Sequence, residues 1–255
     1  MELLRTARRR SVVSESIYVV LNVLLAVAIF ATVFVTASPW YAFVLIVLSK
    51  WRVFAVRTRY WGANIRANMI DTIVGFSIVV FMYAASGALY SQVGLTILYI
   101  IWLLIIKPRS KKNFVIAQAG IGILFGIGAI MQLSANWPAV VVVLLAWTVG
   151  YSAARHVLSV EHETHMNFLS LVWGFVVAEI AWLTYHWTIG YNMPSSIQMT
   201  QATIIIMLLS FLAERVHSSY QRDGKVQLQE LMLPTLLCIS IIGIVLFVFG
   251  GTVSI

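Results

Sequence analysis

Nine times along this chain an apolar run of bilayer-crossing length is closed off by charged or turn-forming residues, and that pattern constrains the fold more than any motif. A hydrocarbon core about 30 Å thick is crossed by about 20 residues of α-helix, because each residue advances about 1.5 Å. The runs lie near 17–37, 39–56, 65–85, 89–106, 114–133, 138–158, 167–187, 197–216 and 231–250. They predict an all-α protein: a polytopic membrane helix bundle of about nine transmembrane helices, forming one integral membrane domain over 1–255. Composition agrees, since 61% of the residues are hydrophobic and 10% charged, too few charges to cover a soluble globule.

Lysine and arginine resist translocation and favour the anionic cytoplasmic leaflet, so their positions test both the span count and the orientation. Arg5, Arg8, Arg9 and Arg10 precede the first run, and Lys50, Arg52, Arg57, Arg59 and Arg66 surround the turn between the second and third. Lys107, Arg109, Lys111 and Lys112 follow the fourth, Arg155 ends the sixth, and Arg215, Arg222 and Lys225 follow the eighth. With the N-terminus inside, all 17 basic residues fall on the cytoplasmic side and the C-terminus is predicted outside. The expected location is a plasma membrane, specifically a bacterial inner membrane, with the lipid bilayer and anionic lipid headgroups as partners. Helix-end placement also explains the net charge of +8, which argues against nucleic acid as a partner. The basic start and first run resemble a signal peptide, but at about 21 residues the run exceeds the usual h-region and reads as a retained anchor. Cys238, the single cysteine, falls in the ninth run, where a lipid-facing position is expected and no disulfide framework can form.

An offset of 99 residues superposes Pro39 on Pro138, Asn68 on Asn167, Gly75 on Gly174 and Phe76 on Phe175. The matched segments share one topology, so the chain reads as a parallel four-plus-four repeat with halves 1–112 and 113–227 and an extra helix in 228–255. A cleft between the halves is then the natural functional location. In the fifth run, Gly122 and Gly126 are spaced for close helix approach, which predicts central packing.

Ionisable groups within hydrocarbon are costly unless paired or hydrated, which makes them functional candidates. Glu179 falls within the seventh run, and Phe175, Trp182 and His186 share its helical face. A carboxyl group there could bind a proton or cation during transport, with Trp182 and His186 lining the path; packing glue is the competing role. Asp71 lies about one turn into the third run, at the depth of Lys50 and Arg52 on the second, and an ion pair is expected. Lys50, Arg52, Arg57 and Arg59 also form a candidate group for an anionic headgroup or phosphate.

The segment 155–167 reads RHVLSVEHETHMN, so His156, Glu161, His162, Glu163 and His165 concentrate nitrogen and oxygen donors at a cytoplasmic turn. With His217 from the eighth run they could hold a divalent metal such as zinc, iron or manganese at the cytoplasmic face, although the spacing matches no established metal signature. The first hairpin carries a formal charge of +4 and the second −1, a difference compatible with distinct tasks or with mutual docking.

Together these features favour a small secondary transporter or permease with a proton- or cation-responsive intramembrane carboxylate over an enzyme. The alternatives are an intramembrane metal-dependent enzyme acting on a lipid or lipid-linked phosphate, and a non-catalytic accessory subunit of a membrane complex. A membrane-protein partner or a homo-oligomer fits each of them.

Overall fold

With almost no water in a bilayer core, backbone N–H and C=O groups must pair within their own segment, and this chain does so by helix formation. The structure is a computed structural model that describes residues 12–36, 38–161, 163–186, 189–192 and 196–248. Its helices are α1 (Val12–Val35), α2 (Trp40–Ser49), α3 (Trp51–Phe54), α4 (Trp61–Ala84), α5 (Leu89–Ile101), α6 (Lys112–Leu133), α7 (Ala139–Val160), α8 (Met166–Tyr185), α9 (Gln201–Asp223) and α10 (Leu228–Gly243). Two of them change pitch, α5 continuing as a π-helical turn over Trp102–Ile106 and α10 as another over Ile244–Val248. The protein is all-α in character, and among the described residues eight helical segments are long and apolar enough to span a membrane.

The run at 39–56 is not one continuous helix. Its first part, α2, has only 10 residues and ends at Lys50, after which α3 adds 4. Ser49 contributes to the break by donating its hydroxyl to the Ile46 carbonyl at 2.6 Å, competing with the backbone ladder. The third run starts earlier than expected, at Trp61, so Asp71 lies near the middle of α4 instead of one turn from its end. The eighth begins later, at Gln201, because residues ahead of it form a two-stranded antiparallel hairpin of β1 (Gly190–Asn192) and β2 (Gln198–Thr200). Thr200 then caps α9 by accepting from the Thr203 N–H. Gln132 holds the hairpin to α6 by accepting from the Gln198 N–H at 2.8 Å.

Close approach sets the centre of the bundle. Cβ atoms added to Gly122 and Gly126 would stand 3.1 Å and 2.8 Å from Ile70 and Ile73, so these glycines let α6 lie directly on α4, as their spacing predicts. Across α6, the Gly126 site also meets Val149 of α7. A Cβ on Gly150 would stand 2.7 Å from the Val177 Cβ, which seats α7 against α8. Cys238 departs from its lipid-facing expectation: it is fully buried, with Sγ 3.9 Å from the Leu208 carbonyl of α9.

Candidate functional site

Pro108 shapes the polar inner end of α5. It has no N–H, so the carbonyls near the end of α5 lose a donor, and the backbone widens into the π turn. The Lys107 N–H bonds the Trp102 carbonyl at 2.9 Å, five positions back. The Leu103 carbonyl, whose i+5 partner is Pro108, instead accepts from the Tyr18 hydroxyl of α1 at 3.2 Å. Gln118 of α6 closes the remaining end by donating its amide to the Ile106 and Arg109 carbonyls at 2.7 Å and 2.9 Å.

That widened turn aims two side chains at one carboxylate. Positions five apart lie about 140° apart around an α-helix, but an i→i+5 turn returns them to one side. Trp102 donates its indole N–H to Asp71 Oδ1 at 3.0 Å, and Lys107 Nζ lies 2.7 Å from Oδ2. Lys50, at the α2–α3 break, also donates to Oδ2. The Asp71 and Lys50 side chains are only 9% and 10% exposed, so this is an interior charge cluster, while Lys107 at 32% leads toward its edge. Two ammonium groups share one carboxylate, leaving one positive charge without a counter-charge among the described residues.

The Tyr99 hydroxyl lies near Asp71, fully buried and with no hydrogen-bond partner among the described residues. A Cβ on Gly75, one turn beyond Asp71 on α4, would stand 3.3 Å from that oxygen. An uncompensated charge and an orphaned hydroxyl in low dielectric are both costly. Chemically, such a cluster can release a proton from one lysine or accept an anion. The expected Asp71–Lys50 pair is therefore present, but Arg52 does not join it; Arg52 is exposed, with its guanidinium 5.9 Å from the Trp51 ring centre. Arg57 and Arg59 are also exposed, at the α3–α4 turn.

The carboxylate expected to respond to protons occupies a different environment. Glu179, Trp182 and His186 all lie exposed on the outer face of α8. A shallow groove of roughly 220 Å³ runs beside Glu179, lined by Val143 of α7 and by Phe175, Ala178, Trp182 and Leu183. The Trp182 and His186 rings meet edge-on, with centroids 5.5 Å apart.

The candidate metal ligands separate into different places. Helix α7 continues to Val160, so His156 and Glu161, five positions apart, are about 140° apart around the helix. His156 turns inward, where its Nε2 is 2.7 Å from Gln118 Oε1. His165 is exposed ahead of α8, and His162 lies outside the described residues. Glu161 and Glu163 do approach His217 of α9, with Oε2–Nε2 distances of 2.9 Å and 3.7 Å. The shorter contact is close enough for an ion pair but is not aligned as a hydrogen bond. Lys112 takes the other Glu161 oxygen at 2.7 Å, an ammonium where a ligand set would need a metal. Among the described residues no three His, Cys, Asp or Glu side chains are arranged to hold a metal ion.

Trp102, Tyr99 and Lys107 were the members of the buried cluster missing from the sequence reading. Pro108 after an apolar run was the one available signal, since it marks carbonyls that need other donors. Searches of protein-family models, curated proteins and solved structures find no significant match to this chain.

Proposed function

We propose that the protein is a small secondary transporter whose charge-responsive centre is Asp71 with Lys50 and Lys107. The observation that carries this reading is the placement of two lysines on one buried carboxylate where α2 breaks and α5 widens. Broken helices and π turns supply backbone that can rearrange, and transporters place binding groups at such interruptions. The extra positive charge is the coupling element: occupancy by an anion, or loss of one lysine proton, neutralises it. Glu179, on the outer face, has no part in this centre.

The finer architecture belongs to the same proposal. Counting α2–α3 as a crossing beside the eight long helices gives nine, with the N-terminus cytoplasmic, the C-terminus outside and the basic residues on one side. A bacterial inner membrane suits this arrangement, and exposed Arg57 and Arg59 suit anionic headgroups. Support for the repeat comes from matching contacts: α1–α2, α2–α4, α4–α5 and α1–α5 pack together, as do α6–α7, α7–α8, α8–α9 and α6–α9. At the 99-residue offset Lys50, Asp71 and Lys107 correspond to Val149, Ser170 and Ile206, so only the first half carries the charges. The second half would then serve as the apolar frame against which the first moves.

Proteoliposomes containing an entrapped pH-sensitive dye test the function. A panel of small inorganic and organic anions is added outside, and at least one is expected to drive proton movement that falls at least 10-fold in Asp71→Asn. Folded parent protein giving no dye response to any anion, or Asp71→Asn matching the parent, contradicts the reading.

A further inference from the structure

Glu179 is the fourteenth of the 20 residues of α8, about 9 Å along the helix from its C-terminal end. The exposed neighbours Val172, Phe175, Trp182 and Leu183 place it within an apolar band. A carboxylate facing hydrocarbon costs several kcal/mol, and polar residues on such faces pair with other groups. Glu179 has no hydrogen bond or ion pair among the described residues, and the groove beside it is lined by apolar and aromatic groups.

Among the described residues no counter-charge lies at that depth. Every lysine and arginine from Lys50 onward lies toward the opposite ends of the helices, at Lys50–Arg66, Lys107–Lys112, Arg155 and Arg215–Lys225. A second copy related by an axis along the membrane normal sets Glu179 opposite Glu179, not opposite a cation. His186 does not solve this, because it is seven residues, about 10 Å, farther along the helix. Exposed Trp182 and Phe175 flank the groove, and aromatic faces add attraction for a guanidinium or ammonium.

We propose that the α7–α8 face around Glu179 docks a transmembrane helix of a different membrane protein, whose lysine or arginine pairs with Glu179 inside the bilayer. The test places a photo-crosslinking amino acid at Val143 in the full chain, in its native membrane, and sequences the cross-linked peptides. The expected adduct is with an apolar helix of another protein bearing a basic residue within about one turn of the cross-link. Its yield is expected to fall at least 10-fold in Glu179→Gln and to persist in Glu179→Asp. Charge reversal, Glu179→Lys with acid replacing the partner's basic residue, is expected to restore it. Adducts with a second copy, with lipid alone, or with a helix lacking a basic residue overturn the proposal. So does an adduct undiminished in Glu179→Gln, or a Glu179→Gln protein that fails to fold, since that places the partner of Glu179 within this chain.

Discussion

Asp71→Leu is expected to destabilise the protein by about 3–5 kcal/mol, because among the described residues it removes the only counter-charge shared by the Lys50 and Lys107 ammonium groups. The cost lies less in the lost attraction than in what is left behind: two like charges close together in a largely buried site. Removing those charges should therefore recover stability. Lys50→Met and Lys107→Met added to Asp71→Leu replace the whole cluster by apolar groups, and such replacements of buried ion pairs are often neutral or stabilising. Thermal melting in lipid nanodiscs is the measurement, with the triple variant expected well above Asp71→Leu and near the parent. Asp71→Leu melting with the parent, or the triple variant melting with Asp71→Leu, would show that the three groups do not form one electrostatic unit. Transport is expected to be absent from the triple variant despite its stability, which separates the structural role of the cluster from its function.

Trp102→Ala is expected to be the second most damaging change, at about 3–5 kcal/mol. Trp102 is 3% exposed and fills the space between the π turn and α4. In a bilayer the transfer part of this loss shrinks, since lipid also accepts apolar groups, but the cavity left beside Asp71 remains. Trp102→Phe keeps most of the volume and removes only the indole donor to Asp71, so about 1.5–3 kcal/mol is expected, the value of a hydrogen bond to a charged group. Melting temperatures should rank parent, Trp102→Phe, then Trp102→Ala; a phenylalanine variant as unstable as the alanine one would assign the whole effect to the hydrogen bond.

The helical framework was legible because bilayer chemistry leaves few options: eight of the nine apolar runs correspond to long helices, and Gly122 and Gly126 of α6 lie where close packing requires them. The break within the run at 39–56 was not legible, since apolar length cannot register an interruption at Ser49 and Lys50. Asp71 with Lys50 was readable from their matching depth on an antiparallel hairpin. Lys107 was not, because its approach depends on a change of helical pitch, and hydropathy carries no record of pitch. Density in sequence does not fix how the donors of the histidine-rich turn are placed: continued helix in α7 turns His156 inward to Gln118 and leaves Glu161 to Lys112 and His217. Glu179 shows the limit of periodicity, which identifies a helical face without telling whether that face looks inward or outward.

If the Asp71 cluster is the centre of a secondary transporter, water must reach it from each membrane face in turn, and two-sided cysteine labelling separates that behaviour from a static ion cluster. Ser49→Cys beside Lys50, in a Cys238→Ser background, is exposed to an impermeant maleimide in right-side-out and inside-out vesicles, with and without an imposed pH gradient. Labelling is expected from one face at rest and from the other when the gradient is applied. A cysteine protected from both faces, or reached from one face alone under every gradient in a protein that retains its melting temperature, would make the cluster a static brace and contradict the account.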